Sequence, residues 1–365
     1  MKIFVSGGEL IAKGAIDAGV RFFAGYPITP ASVIYEPIMR ELPKVGGVSV
    51  GASDEISAIS YCIGASLMGI KSMTATSGPG FSLMIESISF ALMSEIPVTI
   101  VLAQRLGPAT GGATTNSQGD LLFAAFSNSG GYPIPIVSPS TIEESYEFTI
   151  HAVNISEALR TPTILLTEKE VTMTRKSVEL SSLRRPEILD RKVYNGEDEF
   201  KTYNFVALED VPLFSPVGGR YLTRYTGSAH DKKGDLKKDD PEVIEMLHHL
   251  KEKIIKNIDK FYFYEYVERN PDILLLSYGI TSESVREVSE EESLSYLILK
   301  TLYPLKEENL KPIFERYKKI VVVEENIIGS LFILIRHLLG NKGYSLTKVG
   351  SLIAPWEIKR FISTL

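Results

Sequence analysis

Short apolar runs and longer amphipathic segments alternate along most of this chain, and the alternation constrains the fold more than any other feature. In the first half, six runs have the length and apolar content of strands: Arg21–Gly25, Gly47–Gly51, Ser72–Thr76, Val98–Ala103, Pro133–Ser138 and Thr163–Thr167. Helical patterns separate them: Glu9–Ala18, Ala31–Leu42, Asp54–Met68, Phe81–Ser94, Asp120–Ser127 and Ile142–Leu159. Strands that alternate with such helices form a mostly parallel sheet covered on both faces. The sequence therefore predicts an α/β fold with a doubly wound, mostly parallel sheet.

The alternation is interrupted once and then resumes. From Lys169 to about Ser228 the chain is irregular and charged, with glycine and proline clusters, and a long amphipathic helix follows from Pro241 to about Lys260. Further strands are predicted at Asp272–Ser277, Ser295–Leu302, Lys319–Glu324 and Tyr344–Val349, with helices between them. A chain of 365 residues is long enough for two domains. We predict a first α/β domain over residues 1–170, a connection over 171–260 and a second, smaller α/β domain over 261–365.

Composition excludes several classes of partner and site. The 39 basic and 45 acidic side chains give a net charge of −6, which does not favour nucleic acid or an anionic membrane as a partner. The longest apolar stretch, Ile56–Ile70, contains serines and is too short to span a membrane. Cys62 is the single cysteine, so the chain can hold neither an internal disulfide nor an iron–sulfur cluster. Since the amino terminus does not resemble a signal peptide, we expect a cytoplasmic protein.

The first candidate site segment is Tyr26-Pro27-Ile28-Thr29-Pro30, directly after a predicted strand. Its two prolines fix two φ angles and favour extended geometry at Tyr26 and Thr29. Ligands of open α/β sheets bind at the carboxyl ends of the strands, where this segment would hold the Thr29 hydroxyl in a fixed position. The alternative is a rigid connection between a strand and a helix.

Glu55 follows the next predicted strand and opens an apolar helix. Partial burial there would raise the pKa of its carboxyl group and strengthen any charged hydrogen bond it makes. The alternative is a surface glutamate that the helix dipole favours.

Two further candidates also follow predicted strands. Thr76–Gly80 opens a helix with small residues, which let a ligand approach backbone N–H groups, but it lacks the spacing of a P-loop or a dinucleotide-binding loop. Arg105 follows Val98–Ala103, and its planar guanidinium suits a carboxylate; a solvated arginine is the alternative. The Gly/Thr-rich stretch Gly107–Gly119 is compatible with a mobile cover over a site or with an ordinary flexible loop.

In their order along the chain, these segments resemble the alpha subunit of the 2-oxoacid:ferredoxin oxidoreductases. The resemblance runs nearly end to end and is carried by Tyr26–Pro30, Asp54–Ile56, Thr76–Gly80, Glu95–Val98, Gln104–Gly111, Gln118–Leu121, Gly227–Gly234, Ser277–Gly279, Val323–Asn326 and Gly329. It implies that the first domain has the fold that binds the pyrimidine half of thiamine diphosphate. It also implies oxidation of a 2-oxoacid to an acyl-CoA, with coenzyme A as co-substrate and ferredoxin as electron acceptor.

The resemblance assigns roles to individual residues. Glu55 matches the catalytic carboxylate that hydrogen-bonds the pyrimidine ring, and Thr29 and Arg105 match residues that bind the 2-oxoacid. The residues expected to contact the cofactor are Tyr26, Pro27, Ile28, Glu55, Ser77 and Gly78.

Two features that such an enzyme needs are missing from this sequence. It has no Gly-Asp-Gly followed by an asparagine, the pattern that holds Mg²⁺ and diphosphate, and no cysteine cluster. The resemblance therefore implies a partner beta subunit that carries the Mg²⁺–diphosphate site and the 4Fe-4S cluster. Gamma and delta subunits are further expected partners, no metal ligands are expected on this chain, and the chain alone should be inactive.

One segment departs from the family pattern. Where the family commonly has a His-Gly-Asp turn, this chain has Ser129-Gly130-Gly131. Two alternatives therefore stay open: a non-catalytic ligand-binding or assembly subunit derived from the family, and a different thiamine-dependent reaction such as non-oxidative decarboxylation. The sequence does not specify which 2-oxoacid is used.

Overall fold

The computed structural model describes residues 2–365. Its strands are β1 (Lys2–Ser6), β2 (Phe22–Gly25), β3 (Val48–Gly51), β4 (Ser72–Thr76), β5 (Val98–Gln104), β6 (Ile136–Val137), β7 (Pro162–Glu168), β8 (Arg175–Glu179), β9 (Tyr264–Val267), β10 (Ile273–Ser277), β11 (Ser295–Leu299), β12 (Thr301–Tyr303), β13 (Lys319–Glu324) and β14 (Gly343–Thr347). Its α-helices are α1 (Gly7–Asp17), α2 (Ser32–Glu41), α3 (Glu55–Leu67), α4 (Gly78–Met93), α5 (Leu121–Ala125), α6 (Ile142–Leu159), α7 (Lys169–Met173), α8 (Pro241–Asn257), α9 (Ser282–Glu291), α10 (Glu307–Glu315), α11 (Ser330–Leu339) and α12 (Pro355–Ile362).

A seven-stranded sheet organises the first α/β unit, which comprises this sheet and helices α1–α6. The strand order is β12-β6-β7-β5-β4-β2-β3, and every neighbouring pair is parallel except β12 with β6. The central strands β5 and β7 are buried along their whole length, as strands covered on both faces must be. Helices α1, α2 and α6 pack on one face, and α3 and α4 pack on the other. The predicted α/β class with a mostly parallel sheet is confirmed.

A five-stranded sheet organises the second α/β unit, which comprises this sheet and helices α9–α12. The order is β14-β13-β10-β11-β9, with only β9 antiparallel to its neighbour. Helices α9 and α12 cover one face. The opposite face joins α10, α11 and the first unit in one continuous apolar core. The two units therefore share buried surface rather than merely a connecting segment.

Two pairings differ from the sequence prediction. The predicted strand Ser295–Leu302 is divided, because β11 stays in the second sheet while β12 joins the edge of the first. The stretch after Glu168 is not wholly irregular, since β8 pairs antiparallel with β1. Both differences arise from pairing between distant segments, which local residue patterns do not specify.

Buried charges hold the connection and α8 against the first unit. Glu95 Oε2 lies 2.5 Å from Lys253 Nζ and 3.2 Å from His249 Nε2, and all three side chains are almost completely buried. Arg160 is also buried, and its Nη1 donates to the carbonyl of Pro212 at 3.0 Å. Burial alone would raise the pKa of Glu95, but the charges of Lys253, His249 and Arg160 hold that pKa well below its usual range. The position just before β5 is thus a structural anchor for the connection.

No helix within residues 2–365 has the length and apolar character needed to span a membrane.

Candidate active site

The candidate residues gather at one edge of the seven-stranded sheet. Tyr26–Pro30 follows β2, Glu55 begins α3 after β3, Ser77 lies between β4 and α4, and Arg105 follows β5. Because these strands are parallel, their carboxyl ends meet at a common edge. The structure therefore has these segments at the edge where ligands of such sheets bind.

Thr29 and Arg105 are joined by a direct hydrogen bond. The Nη1 atom of Arg105 donates to the backbone carbonyl of Thr29. The Arg105 side chain is buried, and its Nε has no hydrogen-bond partner among residues 2–365. Part of the guanidinium donor capacity is thus unused within the described residues, and a carboxylate is the acceptor that this fork matches best.

Glu55 is buried at the amino terminus of α3, with only 5% of its surface exposed. The preceding Asp54 caps the helix by accepting a bond of 2.7 Å from the Ser57 N–H. The Glu55 carboxylate has no hydrogen-bond or ionic partner in the described part of the chain. Desolvating a carboxylate without such a partner is costly, so this position is prepared for a donor from outside the chain.

Glycine at position 80 lets the start of α4 approach Glu55. A Cβ at Gly80 would lie only 2.2 Å from Glu55 Oε1 and 2.2 Å from Thr76 Oγ1. Any side chain would therefore displace the carboxylate. Beside it, the Ser77 hydroxyl is buried and has no partner within the described residues. This edge thus presents an unpaired carboxylate and an unpaired hydroxyl.

A cavity of about 470 Å³ lies where the two units meet. It is lined by Gly78, Pro79, Ser82, Arg105, Leu106, Gly107, Pro108, Ala109, Ser117, Gly119, Asp120, Phe123, Asn326, Ile327, Ile328 and Val349. Arg105 and Asp120 are the two charged residues of this lining, and most of the remainder is apolar. The second unit contributes the Asn326–Ile328 segment and Val349, so it forms part of the wall.

The other sequence candidates lie around this cavity rather than in its wall. Glu55 and Thr29 are outside the lining, although each contacts a segment that contributes to it. Tyr26 is 40% exposed, Pro27 is exposed, and half-buried Ile28 packs against the core beneath α1 and α2. The structure brings Thr29 to Arg105 and Glu55 to Gly80, while Tyr26 and Pro27 face solvent.

Asp120 is a candidate that sequence reasoning missed. Burial raises the pKa of its carboxyl group to about 6, although the nearby Arg105 charge opposes the rise. Its Oδ2 is buried without a partner in the described range, and a Cβ at Gly78 would lie 3.2 Å from that atom. The sequence could have indicated Asp120, since this residue lies in Gln118–Leu121, one of the segments that resemble the family.

The Ser129-Gly130-Gly131 turn lies away from the Arg105 cavity. The turn residues line two other cavities, together with Tyr132 and residues of α8 such as Ile244 and Leu247. Since the turn contributes nothing to the wall around Arg105, the family's missing histidine and aspartate remove no charge from that wall.

The buried histidines have structural partners. His230 stacks on Tyr203 with ring centroids 4.0 Å apart, and His249 lies beside Glu95. Among residues 2–365 no group of three or more His, Cys, Asp or Glu side chains is arranged to hold a metal ion.

Comparisons with known proteins identify the family. Residues 13–249 match the family model described as pyruvate flavodoxin/ferredoxin oxidoreductase, thiamine diphosphate-binding. A 2-oxoglutarate synthase subunit KorA from Methanocaldococcus jannaschii is 40% identical over 90% of this chain and 89% of that protein. The corresponding subunit from Methanothermobacter thermautotrophicus is 36% identical over 98% of this chain and 97% of that protein. The alpha subunit of a 2-oxoacid:ferredoxin oxidoreductase from Sulfurisphaera tokodaii is 30% identical over 99% of this chain but only 60% of its own length.

A solved structure agrees with these relatives. The 2-oxoglutarate:ferredoxin oxidoreductase from Magnetococcus marinus, with 2-oxoglutarate, coenzyme A and succinyl-CoA bound, superposes with a TM-score of 0.92 at 30% identity. The match covers all of this chain, which spans 65% of that longer chain. A split-gene transketolase shares the fold alone, at 12% identity and a TM-score of 0.54. The chain therefore belongs to the thiamine diphosphate-dependent 2-oxoacid:ferredoxin oxidoreductases, as an alpha subunit.

Proposed function

We propose that the edge around Glu55 holds the aminopyrimidine half of thiamine diphosphate. The observation that carries this proposal is a carboxylate, almost fully buried, that has no partner within residues 2–365 and is packed against a glycine. A pyrimidine ring nitrogen that carries a proton is a donor of the kind this carboxylate lacks. Ser77 and the backbone at Gly78 are the neighbouring groups that would contact the ring, together with Tyr26, Pro27 and Ile28 from the segment after β2.

The cofactor, when bound, supplies a carbon nucleophile for the 2-oxo carbon and an electron sink for decarboxylation. The role of Glu55 is to hold a proton on the pyrimidine ring. Its burial strengthens that hydrogen bond, because the surrounding dielectric is low. These residues orient and polarise the cofactor, and they exclude water from the Glu55 carboxylate.

Arg105 and Thr29 would bind the substrate carboxylate. The Nη1 atom of Arg105 donates to the Thr29 carbonyl, and this bond orients the guanidinium. The Nε atom has no hydrogen-bond partner among the described residues. The Thr29 hydroxyl also has no partner in the described residues and can donate to a ligand. A fixed cation and a hydroxyl on one rigid segment suit the carboxyl end of a 2-oxoacid.

The substrate we propose is 2-oxoglutarate, which the names of the relatives from Methanocaldococcus and Methanothermobacter support. A second carboxylate needs a second cation, and Arg105 is the one basic residue that residues 2–365 contribute to the cavity lining. The second cation would therefore come from a partner subunit at the open side of the cavity.

Several parts of the enzyme would lie on other chains. The single cysteine and the missing Gly-Asp-Gly…Asn pattern support a beta subunit that carries the 4Fe-4S cluster, Mg²⁺ and the diphosphate half of the site. Coenzyme A would be the co-substrate, ferredoxin the electron acceptor, and gamma and delta subunits further partners. Within this chain, residues 1–170 would form the pyrimidine-binding domain, 171–260 the connection and 261–365 the second domain.

Reconstitution with beta, gamma and delta subunits tests the proposal. The complex should reduce ferredoxin with 2-oxoglutarate and coenzyme A faster than with pyruvate or a branched-chain 2-oxoacid, and the isolated chain should be inactive. Glu55→Gln should lower kcat at least 100-fold, whereas Glu290→Gln, an exposed carboxylate on α9, should not. Activity retained in the Glu55→Gln complex would contradict the role of Glu55.

A further inference from the structure

The segment from Leu106 to Gly119 separates the two charged residues of the cavity, Arg105 and Asp120. It is folded back on itself: the Leu106 N–H donates to the Thr115 carbonyl at 2.9 Å, and the Gly112 N–H donates to the Leu106 carbonyl at 2.8 Å. Its two ends are tied together because the Asp120 N–H donates to Gln104 Oε1 at 3.0 Å. We call this segment the site loop. Its position determines where Arg105 and Asp120 stand relative to each other and to the second unit.

Gln118, near the end of the site loop, is fully buried, and its amide group uses its whole hydrogen-bonding capacity. Nε2 donates to Glu168 Oε1 at 2.8 Å and to the Tyr278 carbonyl at 3.0 Å. Oε1 accepts from Thr281 Oγ1 at 3.0 Å and from the Glu325 N–H at 2.9 Å. An amide has two donor hydrogens and accepts two bonds, so no other side chain of this size satisfies all four partners.

The four partners belong to both α/β units. Glu168 ends β7 of the first sheet, whereas Tyr278 and Thr281 follow β10 and Glu325 follows β13 of the second sheet. The Gln118 amide therefore links the carboxyl edges of the two sheets through one side chain.

Backbone atoms add to this link. The Gln118 N–H donates to the Glu325 carbonyl at 2.7 Å, and the Gln118 carbonyl accepts from the Tyr278 hydroxyl at 3.1 Å. One residue earlier the Ser117 hydroxyl also donates to the Glu325 carbonyl, and Asn116 Nδ2 donates to Glu325 Oε2 at 2.5 Å. The second unit thus holds three consecutive residues of the site loop.

Close packing around the amide fixes its environment. Gly279 has φ +60°, and a Cβ there would lie 1.7 Å from Glu168 Oε1 and 2.7 Å from Gln118 Nε2. Burial, reinforced by the charge of Glu325, raises the pKa of Glu168 to about 8, which favours the neutral form of Glu168 at pH 7. A neutral acid beside the amide avoids a buried unpaired charge at the junction of the units.

We propose that Gln118 is a positioning residue, which fixes Arg105 and Asp120 at the cavity by bonding their loop to the second unit. The proposal rests on the proposed function, since it assumes that Arg105 binds the substrate. It assigns the second α/β unit a role in substrate affinity, because Tyr278, Thr281 and Glu325 act on the site through the Gln118 amide.

Gln118→Met tests the proposal, since methionine has a similar volume but cannot make the four hydrogen bonds. In the reconstituted complex, KM for the 2-oxoacid should rise at least tenfold while kcat changes less than threefold. Backbone amides of the site loop should exchange with deuterium at least tenfold faster. The matched control is Lys300→Met. It removes a bond of 2.5 Å between buried Lys300 and Glu144, which also joins the two units but does not contact the site loop. It should leave KM and loop exchange within twofold of the parent values.

Three results would overturn the proposal. They are an unchanged KM in Gln118→Met, unchanged exchange of the site loop, and equal increases of KM in Gln118→Met and Lys300→Met, which would mean a general loosening. If Gln118→Met does not fold, Thr281→Val removes one of the four bonds and should raise KM two- to fivefold with faster loop exchange. If the parent complex converts no 2-oxoacid, the proposed function fails, while the exchange measurement still tests whether Gln118 holds the loop.

Discussion

Lys253→Met should destabilise the protein by about 3–5 kcal/mol, because it leaves a buried carboxylate without its closest cation. The Glu95 and Lys253 side chains are 0% and 1% exposed, and Nζ lies 2.5 Å from Oε2. His249 remains at 3.2 Å and keeps part of the compensation, which favours the lower half of that range. At about 2 °C per kcal/mol for a chain of this length, this lower half corresponds to a fall in melting temperature of about 6–8 °C.

Thermal and guanidinium unfolding of the full-length chain, purified with its partner subunit, measure this effect. The control is Lys311→Met, which removes an exposed i,i+4 pair with Glu307 at 2.8 Å. Such an exposed pair contributes little to stability, because water and salt screen it. The double variant Glu95→Gln/Lys253→Met should recover part of the loss, since it removes the unpaired charge. The reasoning would be refuted if Lys253→Met and Lys311→Met differed by less than about 1 kcal/mol, the contribution of an ordinary hydrogen bond.

The same pair predicts a dependence on pH. Because the pKa of Glu95 is lower in the folded protein than in the unfolded chain, its ionised form contributes stability above about pH 4.3, the ordinary glutamate value, and this contribution is lost as the pH falls further. The parent protein should therefore lose stability on acidification below this value more steeply than Lys253→Met, in which Glu95 has lost its main ionic partner. Equal slopes in acid titrations followed by circular dichroism would contradict this assignment.

Three further predictions concern the site. Arg105→Lys should raise KM for the 2-oxoacid at least tenfold in steady-state assays, because a lysine cannot both bond the Thr29 carbonyl and present a fork to the substrate; an unchanged KM would exclude Arg105 as the carboxylate ligand. KM should also rise as the pH increases through about 6, because ionised Asp120 repels the substrate carboxylate, and Asp120→Asn should abolish this rise. Gly80→Ala should weaken thiamine diphosphate binding, measured by calorimetry on the complex, since its Cβ would displace the Glu55 carboxylate; parent-like affinity would place the cofactor elsewhere.

Local patterns predicted most of the secondary structure. The strands at Ser72–Thr76 and Lys319–Glu324 and the helix at Ile142–Leu159 begin and end where the sequence indicated. These segments have clear periodicity and good boundary signals, such as the Thr141 hydroxyl that caps α6 by accepting from the Glu144 N–H at 3.1 Å. The predicted strand Pro133–Ser138 shortened to two residues because its prolines cannot donate to a ladder.

The sequence also placed the candidate site at one edge of the sheet. Strand–helix alternation implies parallel strands, and parallel strands bring the residues that follow them to a common edge. This rule sufficed for Thr29, Glu55 and Arg105. It did not reveal that Arg105 bonds the backbone of Thr29 rather than its hydroxyl, or that Asp120 lies across the same cavity.

Only the tertiary structure decided which distant residues act together. Glu95 bonds to Lys253, which is 158 positions later in the sequence, and Gln118 bonds to Glu325, which is 207 positions later. Strand β12 pairs with β6 of the first sheet, although β11 just before it belongs to the second. A local residue pattern indicates whether a segment is buried and which secondary structure it favours, because both depend on nearby residues. Which buried polar group satisfies which partner depends on how the two sheets pack, and packing is a property of the whole chain. The sequence therefore determined the α/β architecture and the edge at which the candidate residues lie, whereas the packing of the two units determined the cavity and the groups that hold its wall.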